Sequence, residues 1–167
     1  KSVTPQDNST TTTINTIEIF VFNANSGVMD GYSRYTDIPS FESDGTFTVN
    51  CDVTTGIRNI YVIANSHRSD WSNITNEDIF LNEIASLENE SIGNWLMRGA
   101  ILQEVIEIES DNTIAISLER IVARVSLESI KTNFSGTPYA GESLENVKVY
   151  LLNAVGDYML WRESSVE

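Results

Sequence analysis

Between residues 114 and 127 the apolar positions change parity. Ile114, Ile116 and Leu118 fall on even numbers, whereas Ile121, Ala123, Val125 and Leu127 fall on odd ones. Arg120 and Arg124 sit in the second run on its polar parity. Successive side chains on a strand point to opposite faces. A flip at Glu119–Arg120 therefore predicts a strand that turns a corner from one packed layer to another, by a bulge or bend. The same stretch fits a helix through Leu118, Ile121, Val122 and Val125, but its β-branched residues favour extended backbone.

Period two recurs along the chain. In INTIEIFVFN, Ile17, Ile19 and Val21 share one face while Phe20 and Phe22 share the other, which predicts a central strand covered on both sides. Asn25-Ser26-Gly27 follows as a turn. Residues 46–51 alternate through Phe47, Val49 and Cys51, and RNIYVIAN is β-branched and aromatic, so both read as strands. One helix is predicted over 76–86. Ile79, Phe80, Ile84 and Leu87 recur there at near-helical spacing, and Thr75 or Asn76 can cap its start. WLMRGA, VIEIE, TIAISL, RIVARVSL, NVKVYLLN and, after a Gly156-Asp157 turn, YMLW read as short strands. The expected fold is mainly β: an antiparallel β-sandwich of about seven to nine strands with one short peripheral helix. Residues 1–13, rich in Ser, Thr and Asn, read as a flexible lead-in, and 14–167 as one domain.

Composition narrows the function. The 167 residues are 41% hydrophobic and 20% charged, enough for one packed core. Ten basic against 24 acidic residues give a formal charge of −14, which argues against nucleic acid or an anionic membrane surface as partner. No apolar run approaches the roughly 20 residues of a membrane span, and the first residues lack the apolar core of a signal peptide. Cys51 is the one cysteine, so no intramolecular disulfide forms, and its alternation with Phe47 and Val49 marks a core residue rather than a reactive thiol. His67 lies in the polar loop ANSHRSDW. The sequence offers no nucleophile paired with a base, no His/Cys metal set, no calcium loop and no phosphate loop, so neither catalysis nor a cofactor is expected. Trp71, Trp95 and Trp161 suit sugar stacking in a binding module, but aromatics of this size are more often core. Sequons at Asn8, Asn73, Asn89 and Asn133 would matter only in a eukaryotic secretory route.

Five segments in order resemble the N-terminal domain of bacterial fimbrillins, the subunits of type V pili: IEIFVFNANSGVM, GIRNIYVIAN, WLMRGA, ISLERIVARVSLESI and VKVYLLNAVGDYML. Their Met-x-Gly segment is Met97-Arg98-Gly99 here, with Arg where the family often has a small residue. The resemblance implies a transthyretin-like sandwich. It also implies a lipoprotein precursor cut at a basic residue in the loop after its first strand, which is then replaced by a strand donated from another subunit. Lys1 is the candidate residue of that processing loop, and a second β-domain is expected to follow the chain. A missing strand leaves unpaired backbone groups beside an apolar stripe. Ile17, Ile19, Val21, Ile121, Ala123, Val125 and Leu127, on long apolar faces, are the candidates to line that groove; the alternative is that they are closed core. The implied partners are other fimbrial subunits, in a fimbrium attached to the bacterial outer membrane. A secreted module that recognises a glycan or host protein is the competing function.

Overall fold

The computed structural model describes residues 13–91, 93–108, 112–123, 125 and 127–161. Among them the chain forms β1 (Ile17–Asn23), β2 (Met29–Tyr35), β3 (Gly56–Ala64), α1 (Glu77–Leu81), β4 (Ile84–Ser86), β5 (Met97–Ile106), β6 (Glu119–Arg120) and β7 (Asp157–Met159), with a 3-10 turn at Leu87–Asn89. Five strands make one antiparallel sheet in the order β2-β1-β3-β5-β6, and β4 pairs with β7. The mainly β, antiparallel expectation holds.

β1 is central, and its doubly apolar pattern is the reason. Phe20 and Phe22 join Tyr61, Ile63, Trp71, Ile74, Phe80, Leu96 and Leu160 in an aromatic cluster on one face. Ile17, Ile19 and Val21 join Ile60, Ala64, Met97 and Ile106 in an aliphatic cluster on the other. Phe80, from α1, stacks against Phe20 at 4.5 Å and Phe22 at 5.3 Å between ring centroids.

Three expectations are amended. The helix is five residues long, not eleven. Asn76 caps it by accepting from the Ile79 amide at 3.0 Å. The Asn82 side chain takes the Asp78 carbonyl at 2.7 Å, and the chain then turns to put Ile84–Ser86 in a strand. WLMRGA and VIEIE are not two strands. Residues 97–100 and 105–106 of these segments lie in one ten-residue β5, whose register against β3 shifts where Gln103 takes φ 60°. The shift lets Met97 and Ile106, of opposite parity, pack in the same aliphatic cluster.

The third concerns the parity flip. Ile114, Ile116 and Leu118 pack on the aliphatic face, Glu119 and Arg120 pair with Arg98 and Met97 at the sheet edge, and Ile121 packs on the aromatic face. The chain thus rounds the edge of the main sheet, so its inward parity has to change. Residues 46–53, 114–118 and 147–152 keep their period-two sequence but join no ladder.

Candidate functional site

The aliphatic face carries two segments that cover it without pairing to it. Residues 46–54 alternate strictly in exposure, with Phe47, Val49, Cys51 and Val53 turned inward. Residues 113–118 do the same through Ile114, Ile116 and Leu118. Both press close to the sheet because glycine lies beneath them. A Cβ on Gly31 of β2 would sit 2.7 Å from the Asp52 carbonyl oxygen, and one on Gly99 of β5 would meet the Ser117 carbonyl oxygen and the side chains of Ile116 and Leu118. Gly99 of the Met-x-Gly segment is therefore required by close packing.

The first segment is held by side chains. The Tyr35 hydroxyl accepts from the Asn50 amide at 3.1 Å and donates to the Asn50 carbonyl. Asp30 accepts from the Thr54 amide at 2.9 Å, the Thr54 hydroxyl at 2.8 Å and Arg58 Nε at 2.8 Å. These donors, the amide and hydroxyl of Thr54 and the Arg58 guanidinium, hold the Asp30 carboxyl below its ordinary value, outweighing the opposing and largest single influence, burial. Residues 47–49 and 114–117 make no backbone hydrogen bond among the described residues. Both are strands in side-chain pattern with open edges, and open edges accept further strands.

The seven candidate groove residues do not come together. Ile17, Ile19 and Val21 are 1%, 7% and 2% exposed, so they form the filled floor beneath the two segments. Ile121 is half-buried on the opposite face. Ala123 is exposed, and Val125 and Leu127 are 85% and 61% exposed. Lys1 and Arg124 lie outside the described residues.

The residues weighed for chemistry are placed structurally. Burial pushes the Cys51 thiol up, the direction that favours the protonated form. His67 Nε2 lies 3.5 Å from the buried Glu90 carboxylate, which also accepts from the Tyr158 hydroxyl and the Leu96 amide at 2.9 Å each. Trp71 and Trp161 stack into the aromatic cluster. Among the described residues no three His, Cys, Asp or Glu side chains gather to hold a metal ion, and no helix is long and apolar enough to cross a membrane.

Sequence reasoning missed the buried polar joints. Asn65, the last residue of RNIYVIAN, takes φ 56° and is 1% exposed. Its side chain donates to the carbonyls of Thr13 at 2.8 Å and Trp95 at 3.0 Å, and accepts from the Asn15 amide at 2.7 Å. A polar residue closing an apolar strand was the available signal.

Comparison with known proteins places this architecture. A profile of the major fimbrial subunit protein family (FimA) matches residues 1–150. A provisionally named fimbrium tip subunit of Parabacteroides distasonis, Fim1C, is 26% identical over 90% of this chain and 43% of its own length. A fimbrial assembly protein structure from the same organism is similar with TM-score 0.50 at 14% identity, over 65% of this chain and 46% of that one. The C-terminally truncated tip fimbrial protein Mfa3 of Porphyromonas gingivalis gives 0.48 at 18% identity, over 59% and 37%. The chain spans less than half the length of each of these relatives. With the family profile matching nearly its whole length, the chain belongs to the FimA family of major fimbrial subunit proteins.

Proposed function

We propose that the chain acts as a structural subunit of a bacterial surface fimbria, at its shaft, anchor or tip, and that a β-strand from a neighbouring subunit completes it. Family membership supports the fimbrial role. The observation that supports strand addition is the unladdered backbone of 47–49 and 114–117 above an apolar floor of Ile17, Ile19 and Val21. An added strand gains main-chain hydrogen bonds from either edge, and its alternate side chains extend the apolar layer. The exposed Ala123, Val125 and Leu127 offer the same partner more apolar surface. In this role the chain works outside the cell, in a fimbrium attached to the outer membrane, and supports adhesion. Direct recognition of a glycan or host protein has less behind it, because Trp71 and Trp161 are turned into the aromatic cluster.

Hydrogen exchange read by mass spectrometry tests this. Alone, the amides of 47–49 and 114–117 should exchange freely. Mixed with full-length fimbrial subunits under assembling conditions, at least one of the two sets should become protected. Unchanged exchange in chain that has entered fimbriae would remove strand addition from this face.

A further inference from the structure

The β4–β7 ribbon has one covered face and one bare face. Ala85 packs against the aromatic cluster, and Tyr158 turns inward to donate to the buried Glu90 carboxylate. Ile84 and Met159 lie directly opposite each other on the other face, 64% and 41% exposed. Ser86 and Asp157 continue that face as a polar pair, so its apolar end is the end towards Trp161. The chain leaves the ribbon along a fixed path. The Leu160 amide donates to the Glu83 carbonyl at 2.9 Å, and Leu160 itself is buried. Arg98 of β5 donates to the Leu160 carbonyl and lies 5.7 Å from the centre of the Trp161 ring. Trp161 packs on Tyr61 and Phe80 at 4.8 and 5.4 Å between ring centroids. Its indole N–H is buried and has no acceptor among the described residues, although a buried indole ordinarily finds one. Polypeptide continuing past Trp161 thus starts two residues from the bare Ile84–Met159 pair.

We propose that the outer face of the β4–β7 ribbon is the seat of the polypeptide that follows this chain in a longer fimbrial subunit, and that Arg98 clamps the exit so that the two parts move as one body. The inference rests on the fimbrial reading above. More than half of each relative compared with this chain lies outside the matched part, so there is polypeptide of that family to be seated. The occupant brings an apolar contact for Ile84 and Met159 and an acceptor for the Trp161 indole. A second copy of the chain is a poorer occupant. Its charge of −14 opposes self-association, whereas polypeptide tethered at Trp161 meets the face at high effective concentration. A two-stranded ribbon is marginal by itself, and covering its outer face completes its packing.

Maleimide labelling of single cysteines provides the test, with Cys51→Ser throughout and with unassembled protein, so that its failure leaves strand addition untouched. Ile84→Cys should label rapidly in this chain alone and at least tenfold more slowly in the full-length gene product. Leu102→Cys, at the irregularity of β5 and 56% exposed, should label at the same rate in both. Arg98→Gln in the full-length product should speed labelling at residue 84 several-fold and leave residue 102 unchanged. Equal rates at residue 84 in the two proteins overturn the proposal, as does equal slowing at both sites. Protection that grows with protein concentration assigns the face to a second copy and overturns it too, and a gene product that ends at Glu167 removes the occupant. Labelling at residue 84 that ignores Arg98→Gln overturns the clamp.

Discussion

Glu18 sits at the heart of the sheet with no exposure, its Oε1 2.9 Å from Trp71 Nε1 and 3.5 Å from an Arg34 guanidinium nitrogen. Burial raises its pKa above the ordinary 4.5, and Trp71, Ser66, Arg34 and Tyr32 pull it only partly back. The folded chain therefore binds this proton more tightly than the unfolded chain. Its contribution to stability is complete below about 4.5, the unfolded value, and is lost as pH rises through the raised folded value. Replacement by a neutral isostere removes that loss. Glu18→Gln should raise the thermal midpoint at neutral pH relative to the natural chain, with the gap closing in acid. A gap that widens in acid would show that the charged form is the favoured one. Trp71→Phe removes the neutral donor and should cost about 1–3 kcal/mol in urea unfolding. Glu18 shares its parity with Phe20 and Phe22, so a strand covered on both sides implies its burial, but nothing in IEIFVFN marks Trp71 as the partner that meets it. Cys51, by contrast, was legible, because its neighbours alternate with it.

At the scale of elements, Gly99 and the β3–β5 irregularity decide how the layers meet. A methyl on Gly99 collides with the Ser117 carbonyl, which is backbone and cannot rotate away. Gly99→Ala should destabilise the chain by about 1–3 kcal/mol, as overpacking does. Gly156→Ala, with nothing near its Cβ and no positive φ, should be close to neutral in the same measurement. At the irregularity, Asn59 accepts from the Gln103 amide at 2.9 Å and donates to Glu77 Oε1 at 2.8 Å, where the Tyr61 hydroxyl also donates at 2.5 Å. Asn59→Ala leaves those groups underpaired and should cost about 1–3 kcal/mol, with faster amide exchange at Gln103. β1 and β3 were legible because their β-branched and aromatic runs are apolar on both faces, and the edge-rounding segment because its apolar parity flips at Glu119–Arg120. The unity of β5 was not: a register shift and a gap between two strands produce the same break in parity. The helix was overread because Ile84 and Leu87 fit its spacing, yet 84–86 is claimed by β7, a pairing with a distant segment that local pattern does not encode.

Over the whole molecule the charge of −14 sets how copies meet. Like-charged copies repel beyond contact, and salt screens that repulsion over a Debye length of about 8–10 Å. Self-association followed by light scattering should therefore rise between low and physiological ionic strength. A fall would mean that contacts of opposite sign dominate the encounter. Fold class and family order were legible at this scale, whereas the two unladdered segments were not, because a sequence records which residues alternate and not which of them find a neighbour. The Asn65 joint has a mechanical consequence. It fastens Thr13 and Asn15 to the end of β3, just before the chain enters β1. β1 is paired along its length to β3 at seven positions and to β2 at six, antiparallel on both sides. Tension applied through residues 13–15 runs along the strand axis, so it loads those two ladders together in shear and cannot peel them one bond at a time. Asn65 is the pin that keeps the pull aligned, and the strand it protects is the one least able to yield gradually.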